Sequence, residues 1–410
     1  MEGWKTVRLG DLLAVLRNGV SVKQNKSSAG QRISRIESIA SGLFDEQRVG
    51  YAELSPAEKE KFRLCQGDIL FSHINSPKHV GKTAVFASGA EVYHGMNLLL
   101  MRPSPQLSSA YLEFYLRHLF ESGFWRKRCK QSVNQASVNQ GDVRQVPVPL
   151  PPLPEQKRIV AILDEAFAAI ATATANTERN LANARELFEN YRDDVLKGTG
   201  QGWRRCSLQE VCYRFEYGSS AKSQRTGEVP VLRMGNIQDG EIDFGDLVYS
   251  SDAQEMDRYR LKPGDVLFNR TNSAEHVGKT AIYRGGTEAL FAGYLVRVNP
   301  VPDEVEPGYL NHYLNGRASR EYGKSVMSQS VHQANISAGK LREYPFAFPD
   351  MDEQRKLVDG LDRMKAETAQ VVVLCGKKLA RLAELKQSIL HQAFTGQLTA
   401  GPRQLELDLA

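Results

Sequence analysis

Between residues 159 and 195 the apolar and small side chains recur at Ile159, Leu163, Ala166, Ile170, Ala173, Thr177, Leu181, Ala184, Phe188, Tyr191 and Val195. Steps alternating between four and three residues draw a narrow stripe along a helix, the seam of a coiled coil. The same spacing returns at Leu357, Leu361, Met364, Thr368, Val371, Cys375, Leu379, Leu382, Lys386, Ile389 and Ala393. Lys386 interrupts this second stripe, and neighbouring Leu385 is expected to substitute for it. Pro154 suits a first helical turn and Asp352 an N-cap, while Gly198 and Gly396 mark the expected ends. Each rod, at about 40 residues and 1.5 Å per residue, would be about 60 Å long. So narrow a stripe cannot bury itself, so two in one chain are expected to pack together, antiparallel in preference to each folding back on its own globule.

The rest of the chain has a different rhythm. Short runs such as "DILFS", "TAVFA", "NLLLM", "DVLFN", "TAIYR" and "YLVRV" are punctuated by Gly, Pro, Asn and Ser, as strands and turns are. Between them "LGDLLAVL", "SPAEKEKF" and "SSAYLEFYLRHLFESGF" read as helices. The expected architecture is two α/β globules with curved, mainly antiparallel sheets, joined by two long helices packed as an antiparallel coiled coil with pseudo-twofold symmetry. The boundaries are a first globule over 1–150, a helix over 151–198, a second globule over 199–349, a helix over 350–397 and a tail over 398–410.

The two globules are one pattern written twice. "GDILFSHINSPKHVGKTA" from Gly67 matches "GDVLFNRTNSAEHVGKTA" from Gly264 at twelve of eighteen positions. Trp4 aligns with Trp203, Gly19 with Gly218 and Lys23 with Lys222, "YLEFYL" with "YLNHYL", and "QSVNQASVNQ" with "QSVHQANISA". The offset stays between 197 and 199 throughout, which marks an internal duplication.

Composition adds limits. The 410 residues suffice for two to four domains. No apolar run, "NLLLM" included, looks long enough to span a bilayer, and the start has no signal-peptide pattern. Five cysteines without a CxxC pair argue against a disulfide framework or a zinc site and suit a reducing cytoplasm. The net charge of +5 is uneven: residues 1–150 carry 20 Lys and Arg against 13 Asp and Glu, a weak pointer to a polyanionic partner.

The repeated "GKT" invites comparison with a phosphate-binding loop, but such a loop needs glycine where Ser76 and Ser273 stand. The expectation is instead a turn and strand that present polar side chains outward: His73, Asn75, Lys78, His79 and Lys82 in the first copy, Arg270, Asn272, His276 and Lys279 in the second. Gly81 and Gly278 simply making a turn is an equal reading. Asn134, Gln135, His332 and Gln333 belong to the second repeated stretch and join the candidate set. The matched pair Lys23 and Lys222 is also a candidate, and between the repeats the copies diverge, with Lys26, Arg32 and Arg35 in one and Arg225, Arg233, Asn236 and Gln238 in the other. Long polar side chains on variable loops of a shared scaffold suit two readers of different DNA sequences, since Arg fits guanine and Asn or Gln fits adenine. No catalytic constellation is found, neither a Gly-rich cofactor loop nor HExxH, GxSxG or a DPPY-like tetrapeptide, so the chain is expected to bind and not to catalyse.

These residues carry a resemblance. Two variable globules, each ending in a Ser-x-x-Gln stretch, a Pro-containing strand and "PPLPEQ" or "PDMDEQ" before a long helix, resemble the specificity subunit of type I restriction–modification systems. The likeness covers almost the whole chain, and its one local departure is "PDMDEQ", at Pro349–Asp352, in place of the family's "PPLxEQ". It implies that each globule is a target recognition domain for one half of a bipartite double-stranded DNA target. The helices would set the gap and dock two methyltransferase subunits, with restriction subunits in the full complex. S-adenosylmethionine, ATP and Mg would belong to those partners, none to this chain. The alternative is a stand-alone DNA-binding protein that works without methyltransferase partners.

Overall fold

The computed structural model describes residues 4–25, 28–132, 135–198, 202–330 and 333–399. It divides into two compact units, Met1–Thr177 with Lys378–Ala410, and Glu178–Lys377. Each long helix therefore contributes its two ends to different units.

In the first unit the strands are β1 (Lys5–Arg8), β2 (Leu13–Asn18), β3 (Ile69–Phe71), β4 (Thr83–Val85), β5 (Leu99–Pro103) and β6 (Pro147–Leu150). The second repeats them as β7 (Arg204–Ser207), β8 (Cys212–Tyr217), β9 (Val266–Asn269), β10 (Thr280–Ile282), β11 (Leu295–Pro300) and β12 (Pro345–Phe348). The central antiparallel sheets run β2-β5-β3-β4 and β8-β11-β9-β10, the same order in both. β1 pairs with β6 and β7 with β12, so the first strand of each globule closes on the last. A parallel ladder joins Val231 and Leu232 to Leu290 and Phe291 in the second unit. The helices that matter below are α1 (Ser109–Glu121), α2 (Leu153–Val195), α3 (Pro307–Asn315) and α4 (Met351–Phe394).

The stretch "LGDLLAVL" is not the helix its composition suggests. Only Leu9–Leu12 makes a single 3-10 turn, and Leu13 onward enters β2. Leu9, Leu12 and Leu16 still face the core, but Leu16 does so from a strand paired with Met101. Tertiary pairing overrides local helix preference here. "SPAEKEKF" does form a helix, capped by Ser55 and Glu58 in a reciprocal box.

Repeated residues find their reasons in packing. Asp68 and Asp265, the second letter of each "GD", are buried and accept the backbone N–H of Cys65 and Lys262 at 2.7 and 2.9 Å. Arg102 grips Asp68 with two hydrogen bonds of 2.7 and 2.8 Å, while Asp265 takes Arg297 at 3.1 Å. Gln156 and Gln354, from "PEQ" and "DEQ", are fully buried. Gln156 donates to the carbonyls of Gln106 and Pro151 and accepts from Ser108 N–H, and Gln354 does the same with Glu304, Pro349 and Glu306. Each glutamine clamps the start of a long helix to the loop entering α1 or α3.

The seams pack as expected within each unit. In the first, Ile159 and Leu163 of α2 share a core with Leu390, Ala393 and Phe394 of α4, and Phe167 lies under Lys386 at 5.3 Å. In the second, Phe188, Tyr191 and Val195 from the end of α2 join Leu357, Val358 and Leu361 from the start of α4. Early residues of one helix meet late residues of the other in both units, so the two helices run antiparallel. All eleven α2 seam positions are buried or half-buried, as are Met364, Thr368, Cys375, Leu379, Leu382 and Ile389 in α4.

Four details of the seam and its ends differ from expectation. Val371 is 41% exposed and Val372 is the sheltered neighbour. Leu385 does not replace Lys386, for it is 47% exposed; Lys386 keeps its place by laying its stem along the seam and pairing with Glu121 at 3.4 Å. The cap of α4 is Asp350, whose Oδ1 accepts Glu353 N–H at 2.9 Å, so Asp352 lies one position inside the helix. One stretch of α2, at mean hydropathy 1.4, is apolar enough by composition to cross a membrane, contrary to the reading from runs alone. Small Ala and Thr side chains spread that apolarity, and exposed Asp164 and Glu165 interrupt it.

Candidate nucleic-acid interface

At one end of each central sheet the repeated phrase forms a turn backed by a small three-stranded sheet. Ile74–Asn75 pairs with Gln135–Ser137, which pairs with Lys130–Ser132; Thr271–Asn272, Ala334–Asn335 and Ser328–Gln329 repeat the arrangement. Two repeated segments sixty residues apart in sequence thus share one surface.

The "GKT" turn is self-satisfied. Asn75 Oδ1 accepts Ser76 N–H at 2.8 Å, and Asn272 does the same for Ser273. Gly81 N–H donates to Ser72 and Gly278 N–H to Asn269, both at 2.8 Å, and Lys82 N–H turns back to His79. Gly81 and Gly278 hold φ of 94° and 91°, the left-handed region where a Cβ is costly. A Cβ on Gly81 would also lie 2.3 Å from the Trp125 ring. These amides serve the turn itself, unlike those that cradle a phosphate.

The candidate side chains sort into three groups. Lys23, Lys78, His79, Gln135, Lys222, Arg225 and Gln333 are exposed, and so is His276, which stands 3.6 Å from Glu275. A second group is engaged within its own loop: Arg32 with Glu46, Arg35 with Glu37, and Arg233 with Asp246 at 2.9 Å. Lys82 Nζ donates to the Ala40 carbonyl at 2.9 Å, and the half-buried Lys279 lines a cleft with Met234, Gln238, Asn269, Asn272 and His276. The third group does not face outward as expected. His73 is 6% exposed, and burial holds its imidazole below the usual value, hence neutral. Asn236, at 3% exposed, is scaffold: its Oδ1 accepts Arg233 N–H and its Nδ2 donates to the Asp243 and Asp246 carbonyls. Arg270 is half-buried, with its guanidinium 4.7 Å from the Tyr217 ring centre. Lys26, Asn134 and His332 lie outside the described residues.

Sequence reasoning passed over other members of this surface. Arg126, Lys127, Arg128 and Lys130 form an exposed basic run entering the hairpin of the first unit, and "WRKRCK" was its visible signal. Asn18 and Gln140 were also missed, because only the fold brings residues 122 positions apart to a 2.6 Å hydrogen bond. Among the described residues no three His, Cys, Asp or Glu side chains converge as a metal site would require, and the five cysteines are separate thiols.

Comparison with known proteins adds a family. A family model described as "Type I restriction modification DNA specificity domain" matches residues 1–181 and again 201–371. The chain is 42% identical, over 97% of its length and 94% of the relative's, to a protein of Methanocaldococcus jannaschii assigned as the specificity subunit of type I restriction enzyme MjaX. It is 24% identical to the type I restriction enzyme EcoKI specificity subunit of Escherichia coli, over 100% of this chain and 92% of that one. Among solved structures, the HsdS subunit from Thermoanaerobacter tengcongensis superposes with a TM-score of 0.58 at 20% identity, covering 97% and 98% of the two chains. A chain from a structure concerned with complex assembly and conformational transition of the type I R-M system reaches 0.74 at 21% identity, covering 97% and 99%.

Proposed function

The chain belongs to the type I restriction–modification DNA specificity family, and from that premise we propose how its parts divide the work. Residues 1–150 and 199–349 each read one half of a bipartite DNA target. The paired helices set the gap between the halves and dock two methyltransferase subunits, to which restriction subunits add cleavage. The chain itself is non-catalytic, and S-adenosylmethionine, ATP and Mg belong to its partners in the cytoplasm.

The observation that carries this reading is the duplicated scaffold with unlike loops. The two central sheets share strand order, turn geometry and buried glutamine clamp, while the loops between Lys23 and Asp68 and between Lys222 and Asp265 share little. Duplication of the scaffold with unlike loops suits two readers of different half-sites. A membrane role for α2 is disfavoured because Asp164 and Glu165 would each cost roughly 2.5–3.5 kcal/mol near a bilayer centre.

The test is co-expression with a type I methyltransferase subunit from the same organism, followed by selection of bound sites from a random DNA library. A stable complex of two methyltransferase chains with one specificity chain, enriching an interrupted sequence, is expected. Selective binding by the isolated chain, with no stable complex, would favour the stand-alone reading instead.

A further inference from the structure

The duplication allows each position of one domain to be compared with its equivalent in the other. The turn and hairpin that frame the interface share Asn75 and Asn272, His79 and His276, Lys82 and Lys279, and Gln135 and Gln333, although Lys78 is replaced by Glu275 in the second turn. Inside that frame one slot differs at every position. In the first domain it holds Asn18, His73, Ser137 and Gln140; in the second, Tyr217, Arg270, Asn335 and Ala338.

The backbone of the slot is common to both. Asn18 and Tyr217 end β2 and β8, and His73 and Arg270 each accept a hydrogen bond of 2.9 Å on their carbonyl, from Val138 and Ile336 N–H. The side chains then build different chemistry in the same place. Gln140 donates to Asn18 Oδ1, and Asn18 Nδ2 stands 3.3 Å from His73 Nε2, at the floor of an open cleft of about 240 Å³. In the second domain Arg270 lies over the Tyr217 ring, donates weakly to Asn335 Oδ1 at 3.4 Å, and Tyr217 Oη accepts Ala338 N–H at 2.9 Å. His73 Nδ1 and Arg270 Nε are both buried with no hydrogen-bond partner. A buried polar atom left unsatisfied is costly, so one in each slot suits a site that takes a further partner.

We infer that this slot is the base-reading element of each domain, with His73 and Arg270 as specificity-determining residues, while the shared His79, Lys82, His276 and Lys279 contact phosphates. Residues common to both domains suit the backbone, which is the same for every sequence; residues that differ suit the bases. Arg270 offers only donors, which match the O6 and N7 acceptors of guanine. The carboxamides and neutral imidazole of the first slot offer both donors and acceptors, so that slot reads a different base pair. The assignment rests on the DNA-reading function proposed above.

The test uses the full chain in its methyltransferase complex and a library randomised at both half-sites. A Tyr217→Asn, Arg270→His double variant, carrying the first slot's pair in the second domain, should change one half of the selected sequence at a guanine, by about 5- to 100-fold in preference. The other half should be unchanged. Retained binding with the wild-type consensus, or change in both halves, would overturn the inference. Were the double variant to bind nothing, Arg270→Lys decides: it keeps the charge without the planar fork, and an unaltered consensus would again overturn it. Lys279→Ala should lower the salt dependence of binding by about one counterion and leave the consensus intact; an altered consensus would refute the division of labour. A wild-type complex that selects no interrupted sequence would mark failure of the functional reading, not of the slot.

Discussion

The ring of Tyr111 meets the ring of Phe394 edge-to-face, with centroids 5.4 Å apart, and so joins α1 of the first domain to the last turn of α4. Phe394 is nearly buried and also packs on Tyr115 and His118. The C-terminal helix end is therefore part of the first domain's core, although 283 residues separate the two rings in sequence. Phe394→Ala should cost about 3–5 kcal/mol, read by urea denaturation of the purified complex. A loss below 1 kcal/mol would show that α4 is dispensable to this core.

Gln156 and Gln354 satisfy one donor and two acceptors each at the entrance of the long helices. Replacing either with Ala leaves those backbone groups without a partner in a buried place. Each substitution should destabilise by about 2–4 kcal/mol, and the two should be nearly equal. Thermal denaturation of the two single variants compares them directly.

His94 is fully buried beside the Arg17 carbonyl, and burial pushes its pKa down to about 3. In the unfolded chain it titrates near 6.5. Between those values the unfolded chain holds a proton that the folded chain refuses, so stability rises with pH across that window and falls as pH drops below about 6.5. The wild type should lose about 2 kcal/mol more than His94→Gln between pH 6.5 and 5. Urea midpoints of the two proteins at those pH values measure the difference; parallel curves would contradict it.

Deleting four or seven residues near Thr172–Thr177 shortens α2 by about one or two turns, roughly 6 or 10 Å. If the helices set the gap, selection from a random-spacer library should return the same half-sites at a new separation, or no binding at all. An unchanged gap would refute the ruler.

Exchanging residues 1–150 for those of another specificity subunit should change one half of the target and leave the other. Methylation mapping in cells carrying the hybrid reads both halves at once. Change in both halves would end the modular assignment.

The duplication, the coiled-coil seams and the family were all written in the order of residues. Each depends on spacing: a stripe of four and three survives as a helix seam whatever surrounds it, and a constant offset between repeats needs no coordinates. Other features had no local signal. "LGDLLAVL" carries a helical pattern, yet pairing with Leu99–Pro103 draws its second half into a strand. Lys386 reads as a break in the seam, but its long stem and the facing Phe167 and Glu121 let it stay. His73 and Asn236 look like surface readers in sequence, and only the fold reveals that both are buried. Periodicity is a property of neighbours along the chain, which is why the sequence alone determined the long helices and the repetition. Burial and partnership depend on segments that meet from far apart, so tertiary structure alone decided which polar residues hold the scaffold and which stay exposed at the surface.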